Sequence, residues 1–332
     1  MQRVSVSSAR TRLGSVLLAS FLALCVVLLC GCGHTADDQQ GEAHQAEVSQ
    51  QGEATQQEQE TDNQDDADEL VAQDAIADGA DSNETPASDT SAEETSDTQE
   101  ADPRDAEFAV DPERTDWNYE AGEEKVVYLT FDDGPSAHTQ EVLDILDSYG
   151  IKATFFVTGL NPDYLDMIGE CYRRGHTIGM HTYTHDYAQV YASLEAYWED
   201  LGRISDVVRE QIGYVPCFVR FPGGSSNTVS ADYTMGIMSE LSQELPANGY
   251  QYYDWDASCG DGAVHTADEL VECTKADTSY GYTTIVFLMH DGAEKATTVE
   301  ALPRIIEYFR EEGYSFAPID RHTPPAHHGI GN

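Results

Sequence analysis

Six short runs of β-branched and aromatic residues, five of them leading into polar side chains capable of chemistry, constrain this chain more than any other feature. They are Val126–Phe131, Ala153–Val157, Thr177–Gly179, Phe218–Phe221, Tyr250–Trp255 and Ile285–Met289, with the length and composition of strands. Between them the apolar spacing becomes helical. Val142, Leu143 and Leu146 share one face, as do Leu194, Trp198, Leu201, Ile204, Val208 and Ile212, and again Leu302, Ile305, Ile306 and Phe309. This alternation predicts an α/β fold of parallel strands. The strands lead into Asp132-Asp133, the His181/His185 pair, Arg220, the Asp256–Asp261 loop and His290-Asp291. In a barrel of parallel strands all these ends lie on one face, where barrel active sites are built.

Charge divides the chain. Its 332 residues carry 17 Lys+Arg against 61 Asp+Glu, a net charge of −44. A protein so acidic cannot bind nucleic acid by neutralising phosphates, so nucleic acid is excluded as a partner. Residues 33–124 hold 30 acids and 2 bases, whereas 125–332 hold 31 acids and 12 bases. The first stretch, rich in Gln, Glu, Asp, Ala, Ser and Thr, cannot bury enough apolar surface to offset its ordering entropy and reads as a disordered linker. Its ~90 residues would reach ~50 Å as a flexible coil. The expected organisation is a signal segment at 1–32, the linker at 33–124, one catalytic domain at 125–322 and a disordered tail at 323–332. A domain of about 200 residues can bury a single core.

The first 32 residues contain no acid, carry Arg3, Arg10 and Arg12, and then run apolar from Leu13 to Leu29. This is the order of an export signal. Leu29-Cys30-Gly31-Cys32 resembles the bacterial lipobox, which makes Cys32 the expected lipidation site and the membrane a partner through a lipid anchor. The alternative is a retained transmembrane helix, because about 17 apolar residues lie at the lower edge of a bilayer span. Either way the domain is expected outside the cytoplasmic membrane.

His181-Thr-Tyr-Thr-His185 places two imidazoles four apart, so on a helical turn both face one side and can share a metal. Alone, such a pair is more often a surface accident. Asp132-Asp133, two carboxylates at the end of a very apolar strand, need a cation or donors to compensate them. Successive residues leaving a strand point different ways, so one can bind metal while its neighbour stays free as a base. Taken by itself, Asp-Asp-Gly-Pro is an ordinary turn.

Together, Thr130-Phe131-Asp132-Asp133-Gly134-Pro135, His181-x-x-x-His185, Arg220-Phe221-Pro222-Gly223-Gly224, the loop ending at Asp261 and Leu288-Met289-His290-Asp291 resemble the five ordered motifs of the polysaccharide deacetylases (the NodB-homology domain, carbohydrate esterase family 4). The likeness spans about residues 125–320. It implies a distorted (β/α) barrel in which Asp133, His181 and His185 bind one divalent metal, usually zinc, with cobalt, nickel or manganese as alternatives. It also implies that Asp132 is the general base, that His290 is the general acid, and that the Gly223 backbone N–H helps hold the oxyanion. Arg220 and Asp261 resemble a supporting pair in which the arginine orients Asp132 and the aspartate orients the arginine. The chemistry asks for these types: an amide carbonyl needs a Lewis acid to polarise it, a base for the attacking water and an acid for the departing amine.

The chain departs from the family where Gly223 and Gly262 stand in place of aromatic residues. Both remove groove wall, so a more open site is expected, with Pro222 and Gly223 against the substrate and Trp255, Tyr183, Tyr252 or Tyr253 supplying stacking surface. Met180 and Asp256 have no assigned role. Cys171, Cys217, Cys259 and Cys273 permit a Cys259–Cys273 disulfide that would staple the Asp261 loop, or four buried thiols. The tail's His327-His328 reads as part of an ordinary disordered end. The function expected is hydrolysis of N-acetyl groups from a cell-wall polysaccharide, foremost peptidoglycan N-acetylglucosamine, by a monomer. Alternatives are deacetylation of chitin oligomers or acetylxylan, a catalytically silent glycan-binding module, or an exported metal-binding lipoprotein.

Overall fold

The computed structural model describes residues 102–114, 117–119, 122 and 124–332. The signal segment, the lipobox cysteine Cys32 and residues 33–101 of the acidic linker lie outside the described residues. Strands β1 (Val126–Asp132), β2 (Thr154–Val157), β3 (Thr177–Met180), β4 (Phe218–Val219), β5 (Gln251–Tyr252), β6 (Ala257–Ser258), β7 (Thr284–His290) and β8 (Ser315–Phe316) form one sheet ordered β5-β4-β3-β2-β1-β7-β6, with β8 on the start of β1. Every pairing is parallel. The helices are α1 (Pro103–Phe108), α2 (Thr139–Tyr149), α3 (Met167–Arg173), α4 (Tyr187–Val190), α5 (Leu194–Ile212), α6 (Ile237–Ala247), α7 (Ala267–Asp277) and α8 (Ala296–Glu311).

One connection dictates the curl. β5 and β6 are the two ends of the strand order, yet only Tyr253–Asp256 join them. Such a link spans at most ~18 Å, whereas the edges of a flat sheet of this width would stand ~29 Å apart. The sheet must therefore curl until its edges approach, giving the distorted parallel barrel.

The core is made where strands meet helix stripes. Leu129, Phe131, Phe155, Ile178 and Phe287 are buried beneath Leu143 and Leu146 of α2, Leu201, Ile204 and Val208 of α5, and Leu302, Ile305 and Phe309 of α8. Local signals set the ends of α5: Ser193 accepts from Ala196 N–H, and Gly213 takes the left-handed φ of 90° that closes the helix.

Both expected boundaries of the domain need correction. Phe108, placed in the linker by composition, is buried and packs edge-on to Phe218 at 5.2 Å. Val110 N–H donates to Val215 O, Cys217 N–H donates to Phe108 O, and Trp117 lies 3.9 Å beneath the Arg321 guanidinium. A few aromatic residues anchor this segment although its composition is that of linker. Residues 323–332 are likewise packed rather than disordered. Tyr253 OH donates to Thr323 O, Asp254 N–H to Ala326 O, and Asn332 bonds Gly236, Thr234 and Ser239. Backbone donors and acceptors, silent in composition, hold this tail together with the His327, His328 and Asn332 side chains.

The expected Cys259–Cys273 bridge is absent: Cys171, Cys217 and Cys259 are buried thiols and Cys273 is half-buried and free. Cys259 sits at the end of β6 as a small apolar core residue, its thiol pushed up by burial and then by the charge of Asp261.

Candidate active site

Register brings the residues together. Asp132 lies level with His290 of β7, and Met180 lies level with Val219, so His181 and Arg220 leave β3 and β4 side by side. Arg220 and Asp132 are both buried, with Nη1 donating to Asp132 Oδ1 at 2.8 Å. The remaining donors are directed too: Nη1 to Thr130 Oγ1, Nε to Tyr253 O and Nη2 to Asp254 O. A buried ion pair whose remaining donors are bonded holds one geometry. It turns Asp132 Oδ2 toward His181 Nε2, 3.7 Å away.

Asp261 does not orient Arg220, as the resemblance implied. Its loop leaves β6, which pairs with β7, so it reaches His290 instead. Asp261 Oδ1 lies 2.8 Å from His290 Nδ1, and its Oδ2 accepts from His290 N–H and from Thr298 Oγ1. The carbonyls of Tyr253 and Asp254, carried past Arg220 by the β5–β6 link, take the place assigned to Asp261. Burial opposes charge on His290, but the bonded Asp261 and the nearby Asp133 and Asp132 outweigh it and push the imidazole up to about 9. Asp261 is held below the usual carboxylate range despite burial, chiefly by His290.

Asp133, His181 and His185 converge, with one potential ligand atom each and all within 4.8 Å of one another. Asp133 Oδ1 stands 3.6 Å from His181 Nε2 and 3.5 Å from His185 Nε2, and this buried oxygen has no hydrogen-bond partner. His181 Nδ1 donates to Arg220 O at 2.9 Å, which directs the Nε2 lone pair into the cluster. Burial pushes His181 down and so favours its neutral form. Asp133 is held well below the carboxylate range against the pull of burial, by His185, His290 and His181. Ligands on one tetrahedral ion stand roughly 3.3–3.5 Å apart. An orphaned carboxylate oxygen, a neutral imidazole and these separations fit a divalent cation.

The histidines do not meet on a helical turn. His181–His185 is an irregular loop in which Thr182 has φ 81° and His185 φ 51°, and with Asp133 (φ 68°) these are the left-handed non-glycine residues among those described. The rings still approach to 4.9 Å. Such conformations gather at functional sites, where the surroundings enforce them.

The polysaccharide deacetylase family pattern matches residues 119–237. A peptidoglycan-N-acetylglucosamine deacetylase of Bacillus cereus is 31% identical over 206 residues, 58% of this chain and 69% of that protein. The chain belongs to the polysaccharide deacetylase family. A solved structure of the catalytic domain of a peptidoglycan N-acetylglucosamine deacetylase from Eubacterium rectale is 41% identical, covers 67% of this chain and 100% of that one, and gives a TM-score of 0.63. A polysaccharide deacetylase structure from Bacillus cereus is 29% identical, covers 61% and 97%, and gives 0.54.

In this deacetylase the wall missing at Gly223 is supplied from elsewhere. A Cβ on Gly223, whose φ is 73°, would collide with the Tyr187 hydroxyl. Tyr187, half-buried on α4, lies edge-on to His185 at 6.0 Å and to Tyr191 at 5.3 Å, while Tyr191 OH donates to Pro222 O. The expectation of a more open site is therefore corrected on this side. The signal was present two residues beyond His185 but had no spacing to mark it.

The other aromatic candidates divide. Tyr252 and Tyr253 are buried, with Tyr252 stacked on His327 at 4.0 Å, so neither offers a face to substrate. Trp255 is half-buried beside Gly224. Tyr183 has one face covered by the Arg203 guanidinium at 3.9 Å. Three further residues gain structural roles. Met180 is buried and accepts from Ser205 Oγ, and Asp256 accepts from Val286 N–H to seat the start of β6. Asp291 turns away from His290: its Oδ2 accepts from Thr139 Oγ1, and a Cβ on Gly134 would collide with it. Burial, and then Asp133, push this carboxyl up to about 7.

Proposed function

We propose that this deacetylase hydrolyses the N-acetyl groups of peptidoglycan N-acetylglucosamine in a divalent-metal-dependent reaction. The observation that carries this reading is the convergence of Asp133, His181 and His185, with Asp132 and His290 beside them. Asp133, His181 and His185 would hold the ion, zinc by donor type, which when bound polarises the acetamide carbonyl and acidifies the attacking water.

Asp132 receives the proton of that water on Oδ2 while Arg220 keeps Oδ1 in place. Gly223 N–H would donate to the developing oxyanion, the role the family resemblance implies for it. His290, charged and held through Nδ1 by Asp261, gives a proton from Nε2 to the amine as the carbon–nitrogen bond breaks. The acetyl carbon gains the water oxygen and leaves as acetate, and the nitrogen leaves as an amine. The Arg220 and Asp261 anchors keep base and acid from turning during the exchange.

The substrate reading is supported by the named activity of the relatives and by the export-type chain start. In this reading the enzyme works as a monomer at the outer face of the cytoplasmic membrane, tethered through Cys32, where its own wall is the first glycan it meets. Acetate release measured in parallel from purified peptidoglycan, chitin oligomers and acetylxylan tests the assignment. Peptidoglycan should give the highest kcat/KM, and preference for either of the others overturns it.

A further inference from the structure

Thr182–Thr184 connect the two histidines of the cluster, and this connection carries the backbone outliers Thr182 and, at its end, His185. A β-branched residue at φ 81° is a genuine outlier and persists only where its surroundings over-determine it. His181 is fixed by β3 and by the Arg220 carbonyl. The place of His185 relative to it depends on the three residues between.

Those residues are gripped from α5. Asp200 Oδ1 accepts from Tyr183 N–H at 2.5 Å, both its oxygens lie 3.3 Å from Thr184 N, and its Oδ2 accepts from the Thr184 hydroxyl at 2.7 Å. One helical turn on, Arg203 covers the Tyr183 ring, and the Tyr183 carbonyl accepts from Gly159 N–H at 2.9 Å. Asp200 is buried, between Tyr197 and Ile204 on the inward face of α5. An apolar residue would suit that face better, yet it would leave two loop N–H groups and a hydroxyl without these partners. A carboxylate has the lone pairs to take all three donors at once.

We propose that Asp200 is a positioning residue that holds the His181–His185 loop in its strained form, so that both imidazoles are set for one divalent ion before it arrives. This rests on the metal reading above. Partners beyond the ligands themselves typically contribute 10–100-fold in metal affinity. Asp200 reaches the ligands through backbone, so its effect falls on affinity and not on the proton transfers of Asp132 and His290.

The test is Zn2+ affinity by competition with a chromogenic chelator, alongside kcat at saturating Zn2+, in the wild type, Asp200→Asn and Asp200→Ala. Asp200→Ala should bind Zn2+ roughly 10–100-fold more weakly, with kcat at saturation near the wild-type value. Asp200→Asn should lose less, since its amide oxygen still accepts from Tyr183 N–H. Unchanged affinity in folded Asp200→Ala, or a loss confined to kcat, overturns the proposal. Should Asp200→Ala not fold, Thr184→Val removes only the hydroxyl donor, and unchanged affinity in both Thr184→Val and Asp200→Asn overturns it equally. A wild-type protein that binds no divalent ion would instead remove the metal reading itself.

Discussion

His290 Nδ1 and Asp261 Oδ1 lie 2.8 Å apart, and the other oxygen of the same carboxylate accepts from the His290 backbone N–H at 2.8 Å. This two-point hold fixes the ring and raises its pKa, so the acid is charged at neutral pH. Activity should fall on the alkaline side of the ordinary imidazole range, where His290, held up by Asp261, loses its proton. Asp261→Asn removes the largest raising influence and leaves burial to act, so the alkaline limb of kcat/KM should move toward the ordinary imidazole value of ~6.5. A limb that stays in place in that variant argues against the pairing as its cause.

The two adjacent aspartates should separate by phenotype. Asp132→Asn keeps the ligand set and should retain metal while kcat falls roughly 10²–10⁴-fold. Asp133→Asn should lose metal affinity first. Metal content and kcat measured on both variants decide the assignment, and the reverse pattern would exchange the two roles.

A stability prediction concerns His176, buried with Nδ1 accepting from Ala153 N–H at 3.0 Å. Burial, reinforced by the charge of Lys152, pushes it down to about 3. The unfolded chain therefore takes up a proton below ~6.5 that the folded one refuses, so this contribution is present above ~6.5 and is lost as pH falls toward 3. The loss should be on the order of 1 kcal/mol by pH ~5.5. His176→Asn keeps an acceptor without the titration, and its Tm should fall several degrees less than that of wild type between pH ~7 and ~5.5. Equal falls in both proteins would contradict this.

Tethering is tested at the other end of the chain. Cys32→Ala should release the protein from membranes with its deacetylase activity unchanged. A variant that still partitions with membranes would favour a retained Leu13–Leu29 helix.

Much of the site was legible because strand ends are marked in sequence: most of the apolar runs lead into a ligand, an acid or a base, and parallel register does the rest. What was not legible depends on pairings between distant segments. Asp261 is assigned to His290 and not to Arg220 only once β6 is seen beside β7. Tyr187 fills the space above Gly223 from a helix more than thirty positions earlier. Asp200 belongs to no motif, although it interrupts the buried face of α5 between Tyr197 and Ile204. The short strands Ala257–Ser258 and Ser315–Phe316 have too few residues to show a period. The packed tail is held by backbone groups, which every sequence carries, and by the His327, His328 and Asn332 side chains, whose partners lie in distant segments.

The most direct test of the central claim is acetate release from purified peptidoglycan by the wild-type protein before chelation, after chelation and after Zn2+ is restored. Release that stops on chelation and returns with about one Zn2+ per chain is the predicted result. Acetate release that persists undiminished in the metal-free protein, or none from a protein carrying a stoichiometric divalent ion, would contradict it.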